Sequence, residues 1–244
     1  IDVSGLSPRG YGNKFYLIVP EGVTLAGNRG RDATPGPLIF HGGMKDGQAL
    51  MLVYDRARVT GLRLRGPAAD IAEIDYGGGL PRRCRALWAV GADVEIDNCD
   101  IANFRSAGVT VTWSGRDVHI HHNHIHDIHA YPVGIANGTS LVEANLIEWV
   151  HHSVSGAGSP GSGYEARYNR LIREKSPASL GEKHASHGFD MHGAREMLER
   201  SRETTRRGGA EYIFLASQGH LGAVLIQTEG AAVARRHLRE AIAH

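Results

Sequence analysis

The chain of 244 residues holds only two cysteines, Cys84 and Cys99. That is too few for a disulfide framework, and the sequence leaves open whether they pair. No apolar run approaches the ~20 residues needed to cross a bilayer, so no membrane span is expected. An excess of charge of one sign is missing as well. The net charge is +1 with histidine neutral, so no strong field favours nucleic acid or an anionic membrane. Arg82, Arg83 and Arg85 cluster, as do Arg200, Arg202, Arg206 and Arg207, and both groups read as solvated surface charge. Ile1–Gly10 lacks the charged-then-apolar layout of a signal peptide, which leaves the question of export open.

Glycine is plentiful, and it recurs between β-branched runs, the pattern of many short strands joined by tight turns. A repeat underlies it. Val94–Ile101, Val118–Ile125, Leu141–Ile147 and Tyr164–Leu171 align, and their closing aliphatics Ile101, Ile125, Ile147 and Leu171 stand 24, 22 and 24 apart. Asn123, Asn145 and Asn169 fall two residues before that aliphatic, with Cys99 in the first copy. An asparagine there suits a turn, because its side chain bonds nearby backbone and tolerates left-handed geometry. A second strand follows each copy, at 108–112, 134–137, 153–155, 188–192 and 222–226. Weaker first strands are expected at 23–25, 59–64 and 232–238. Two or three strands per repeat of this length indicate a stacked solenoid. The leucine-rich pattern is missing, so the expected fold is all-β: a right-handed parallel β-helix. It forms a single domain over 1–244, with loop excursions at about 67–85 and 173–209. Within the second excursion 196–203 is rich in helix formers, and 233–243 is a candidate helical cap.

Stacking turns sequence into columns about 4.8 Å apart. Asp97, His121, Glu143 and Arg167 should share one outward column, and Glu95, His119, Leu141 and Glu165 its neighbour. Imidazole and carboxylate so mixed suit either a transition-metal site or a surface ladder of charge-assisted pairs. The ladder is preferred, and no metal is assigned, because no cysteine ligand or His-x-x-x-His helix accompanies the column. Protonation near pH ~6.5 would alter such a face. On the second strands, Val109, Ile135, Val154 and Phe189 align inward. Thr110, Ala136, Ser155 and Asp190 then face outward, as do Thr112, Gly138, Ala157 and His192. Small residues beside Asp190 and His192 leave a trough for a flexible polymer. Tyr131, His151, His152 and His187 lie along its leading edge.

His187-Gly-Phe-Asp-Met-His192 resembles the Tyr-Gly-Phe-Asp-Pro-His motif of mannuronan C5-epimerases, which are parallel β-helix enzymes. The Asn-punctuated repeats resemble the pectin-lyase-like β-helix superfamily more broadly, over most of residues 20–240. The resemblance implies a groove lined by Asp190 and His192, with His187 where the family has Tyr and Met191 where it has Pro. It also implies polysaccharide chemistry, outside the cell or at its surface. The expected function is a polysaccharide lyase or C5-epimerase that abstracts the C5 proton of a uronic acid with a histidine base. Asp190, His192, His187 and Tyr131 are the candidate catalytic residues, and His151, His152, Arg167 and Tyr164 the candidate substrate contacts. No cofactor is required, although calcium could neutralise the substrate carboxylate through oxygen ligands. The alternative is a non-catalytic glycan-binding or structural β-helix. A glycoside hydrolase ranks below both, because Asp190 has no second carboxylate in its own column or the next.

Overall fold

The computed structural model describes residues 1–10, 12–67, 83–112, 114–149, 152–159, 161–172, 187–191, 213–217 and 220–224. Almost all regular structure is parallel sheet. The first sheet has seven strands: Phe15–Val19, Ala49–Val53, Arg85–Ala89, Ala107–Val111, Tyr131–Ile135, His152–Gly156 and His187–Met191. The second has six strands running from Thr24–Ala26 to Gly163–Arg167, and the third six from Leu38–Phe40 to Arg170–Ile172. The chain visits the first, second and third sheets in turn and then begins the next circuit one step higher. It is a parallel β-helix. Among the described residues, no helix is long and apolar enough to cross a membrane.

The aliphatics that close the sequence repeat are in register. Ile101 pairs with Ile125, Ile125 with Ile147, and Ile147 with Leu171. Alternation along each short strand sends these residues inward. There they join Val59, Ile96, Ile120 and Val142 from the second sheet and Met51, Leu87, Val109, Val133 and Val154 from the first, in one buried cluster. Each circuit is too small to bury its own apolar face, so its stability comes from the circuits above and below.

The recurring asparagines do something other than the left-handed turn expected of them. The left-handed residue is the one before: Asn98 at φ 49°, His122 at 54°, Ala144 at 52° and Tyr168 at 57°. The asparagines themselves point inward as a ladder. Asn123 Oδ1 accepts from the Cys99 amide at 2.9 Å, Asn145 Oδ1 from the Asn123 amide at 3.0 Å, and Asn169 Oδ1 from the Asn145 amide at 3.0 Å. Each Nδ2 donates across the coil to a second-sheet carbonyl: Ile96, Ile120 and Val142 in turn. At a turn between sheets the backbone groups lose their ladder partners, and a buried amide side chain replaces them.

The first sheet departs from simple alternation. Leu50 with Met51, and Ala86 with Leu87, are consecutive residues that both face the core. The first and fourth residues of these strands therefore face outward. The expected inward row Val109, Ile135, Val154 is accordingly two residues out at its middle member, because Val133 is the residue that pairs with Val109 and Val154. The predicted rung at 222–226 is also replaced. His220–Val224 pairs antiparallel with Ile213–Ser217, as a connection of two residues requires, since a parallel crossover needs about a dozen or more. The expected segments 196–203, 232–238 and 233–243 lie outside the described residues, as do 68–82, 173–186 and 192–209 of the two excursions.

Candidate functional site

The outward side of the first sheet carries two adjacent columns. One runs Phe15, Ala49, Arg85, Ala107, Tyr131, and the other Ile18, Leu52, Trp88, Thr110, Gly134, Ser155, Asp190. His152 and His187 pair in register beyond Tyr131 on the first column's line. The early half of this face is closed. Phe15, Ala49, Leu52 and Val90 form a buried apolar cluster with Trp88 packed against it, and Arg9 bridges to Phe15 from the N-terminal segment.

From Arg85 onward the face opens into a groove of about 240 Å³ lined by Arg85, Thr110, Tyr131 and Ser155 over Ala107 and Gly134. The small residues make the groove. Arg85 and Tyr131 rise two rungs apart, with only the methyl of Ala107 between them. The Arg85 guanidinium lies 4.7 Å above the Trp88 ring centroid and donates to the Arg83 carbonyl at 3.2 Å. Among the described residues no carboxylate reaches it within ion-pair distance. Burial pushes its pKa down, the response of a cation partly stripped of water.

Beyond the groove lies a buried acid–base pair. His152 Nδ1 is 3.0 Å from Asp190 Oδ2, with the two side chains 7% and 0% exposed. The Tyr131 ring stacks at a tilt on His152, centroids 5.4 Å apart. The strand bearing Asp190 is held from the inside, where the Tyr164 hydroxyl donates to the Asp190 main-chain carbonyl at 3.0 Å. Burial raises the Tyr164 pKa well above that of a free phenol, so this hydroxyl stays protonated and donating.

The structure thus brings together Asp190, His152 and Tyr131 of the expected site residues. Tyr164 sits behind them, packed on the core. Arg167 is on the outward face of the second sheet, bound to Glu143 at 2.6 Å and Glu165 at 3.2 Å. His187 lies in a first-sheet strand beside His152. His151 and His192 lie outside the described residues. Two features escaped sequence reading. One is Arg85, whose place as the single charge opening the apolar strand Arg85–Ala89 is the signal that sets it apart from Arg82 and Arg83. The other is the partnership of His152 with Asp190, 38 residues apart in the sequence.

The histidine-rich faces are built as expected in their columns, but their pairs run diagonally. Asp97, His121, Glu143 and Arg167 are in register. His121 nevertheless reaches Glu95 at 3.0 Å and His119 reaches Glu143 at 2.8 Å. Asp97 is taken instead by Arg58, through two hydrogen bonds of 2.9 Å, and by Thr60. Burial alone would raise the Asp97 carboxyl, but these donors hold it below its usual value. On the third sheet Asp100 meets His126 at 3.1 Å and Arg65 at 2.6 Å. Compared with family models, curated proteins and solved structures, the chain matches none of them.

Proposed function

We propose that the first-sheet groove binds a carboxylated polysaccharide and moves the C5 proton of one of its uronic acid residues, as a lyase or an epimerase. The observation that carries this reading is Arg85, a half-buried guanidinium with no carboxylate partner among the described residues, in the same groove as Tyr131. An arginine so placed suits a planar carboxylate brought by a ligand.

The chemistry follows from the order of the side chains. With the carboxylate of one uronate on Arg85, the polymer runs along the groove and brings C5 of a uronate further along it toward Tyr131 and His152, which stand two and three rungs from Arg85. His152 takes the C5 proton, and the Asp190 carboxylate, 3.0 Å from Nδ1, stabilises the imidazolium that forms. The electron pair left at C5 spreads into the carboxylate bonded to it. If a proton returns to C5 from the face opposite His152 and the stacked Tyr131, the product is the epimer. If Tyr131 instead gives its proton to the departing O4, the C4–O4 bond breaks and a C4=C5 double bond remains. With such a substrate, the proposed place of action is outside the cell or at its surface.

The test is to incubate the full chain with polyuronates in heavy water. Deuterium at C5 by NMR or an unsaturated product by ultraviolet absorbance is expected, and His152→Gln should slow either by at least ~100-fold with the fold retained. If no uronate polymer exchanges or is cleaved, while binding persists and is lost in Arg85→Gln, the protein is a glycan-binding module and the enzymatic reading fails.

A further inference from the structure

The third sheet holds a second constellation, on a different face of the coil from the groove. His124 and His126 stand two residues apart on the strand His124–Ile128, so both imidazoles project outward; their rings stack with centroids 4.3 Å apart. Asp100 is one rung below, in register with His124. Glu148 comes from the rung above, on the strand Leu146–Trp149. One ligating atom each from Asp100, His124 and His126 lies within 4.8 Å of the others. His126 Nε2 is 3.1 Å from Asp100 Oδ1, and His124 Nε2 is 3.3 Å from Glu148 Oε1. Ligands at ~2.0–2.1 Å on a tetrahedral ion are separated by about 3.3 Å along each edge of the polyhedron. Each of these two pairs is spaced like one edge of such a polyhedron.

A second observation concerns the atoms behind the ligands. Asp127 has φ 48°, and the register with the next strand shifts between Ile125 and Ile128. In a regular strand Asp127 would point to the core. The irregularity brings its Oδ2 to 2.6 Å from His126 Nδ1 instead. The imidazole donates there and turns Nε2 toward Asp100, the carboxylate–histidine arrangement that orients and strengthens metal-binding imidazoles. Arg65 fixes Asp100 from the other side at 2.6 Å. All four ligand side chains are at least partly buried, from 11% exposed at Glu148 to 26% at His124.

We propose that Asp100, His124 and His126 form a binding site for a zinc-class divalent ion, separate from the sugar groove, with Glu148 beside His124 as the carboxylate that completes it. Two imidazoles select borderline metals over calcium or magnesium, which prefer oxygen ligands alone. Three successive rungs supply the ligands, so the rigid coil sets their spacing and an ion would tie those rungs together.

The experiment uses the full chain stripped with chelator and dialysed. Titration with zinc chloride by calorimetry should give one equivalent at this site, and cobalt(II) should give the intense visible absorbance of a tetrahedral complex. Calcium chloride should give no heat. His124→Gln and His126→Gln, checked for fold by circular dichroism, should weaken zinc at least ~10-fold, and Asp127→Asn, which leaves every ligand in place, ~10–100-fold. His119→Gln, on the second sheet, should leave it unchanged. The proposal is overturned if zinc does not bind, if its affinity survives both histidine variants, or if calcium binds in its place.

Discussion

Truncating one rung of the asparagine ladder tests whether the coil's interior is built as described. Asn145 is 1% exposed. Its Oδ1 accepts from the Asn123 amide at 3.0 Å and from Asn123 Nδ2 at 3.1 Å, and its Nδ2 donates to the Ile120 carbonyl at 2.9 Å and to Asn169 Oδ1 at 3.0 Å. Asn145→Ala removes all four. Asn123 Nδ2 keeps its bond to Ile96, and Asn169 is part-exposed, so the main losses fall on the Asn123 amide and the Ile120 carbonyl. A buried backbone group left without a partner costs about 1–3 kcal/mol, and the missing atoms add a small cavity. The expected loss is about 3–5 kcal/mol, a large part of an ordinary domain's stability. Urea unfolding followed by far-ultraviolet circular dichroism measures it. Cys99→Asn is the complementary change. Cys99 Sγ lies 3.7 Å from the Val59 carbonyl, the place an asparagine amide fills on the three later rungs, so this substitution should be neutral or stabilise by up to about 1 kcal/mol. A loss below about 1 kcal/mol for Asn145→Ala, or a severe loss for Cys99→Asn, would refute the ladder as the element that closes this turn.

Two further substitutions probe the outer faces. Asp97→Asn should cost about 1–2 kcal/mol at pH 7, reduced from a fully buried pair because Arg58 is 41% exposed. The folded-state pKa of Asp97 is depressed, so its contribution is present above the unfolded carboxylate value and fades as pH falls through the folded one. Denaturant midpoints of the two proteins should therefore converge in acid, and a gap constant from neutral pH to pH ~2 would contradict the assignment. Ala144→Gly relieves a side chain held at φ 52° and should raise the denaturant midpoint by the equivalent of about 0.5–1 kcal/mol, net of glycine's greater chain entropy. A lower midpoint would show that the alanine methyl contributes packing worth more than the backbone strain.

Period-2 alternation and a constant repeat sufficed to read the coil and the second-sheet columns, because Val118 and Ile120 alternate cleanly with His119 and His121. The first sheet was harder. Its strands put two consecutive residues inward, as at Leu50 and Met51, and Gly134 and Pro132 blur the pattern further, so the middle rung slipped by two. The slip mattered little at Asp190, which keeps its small outward neighbours Gly134 and Ser155. What was not legible was contact between rungs. That Asp190 meets His152 on the neighbouring rung depends on side-chain reach across a stack. The diagonal pairs His119–Glu143 and His121–Glu95 illustrate the same difficulty: register predicts neighbours, while side-chain length chooses among them. The asparagine role was half legible. Bonding to backbone follows from residue type, whereas the left-handed position one residue earlier is occupied by Asn, His, Ala and Tyr, which share no chemistry.

Arg85 offers a way to separate the groove's function from the fold. Arg58 and Arg167, on the second sheet, are each bound by two carboxylates, whereas among the described residues Arg85 meets a carbonyl and the face of Trp88 and no carboxylate. A cation partly withdrawn from water without an anion costs stability that an apolar side chain of similar length would not. Arg85→Met keeps a flexible stem against Trp88 and removes the charge. Stability should then be unchanged or rise by up to about 1 kcal/mol, while retention of the protein on an immobilised polyuronate falls sharply. A residue whose role is to hold the coil together would give the opposite result. If Arg85→Met destabilises by more than about 2 kcal/mol and leaves polyuronate retention intact, the guanidinium serves the fold, and the groove loses the feature that marks it for an acidic sugar.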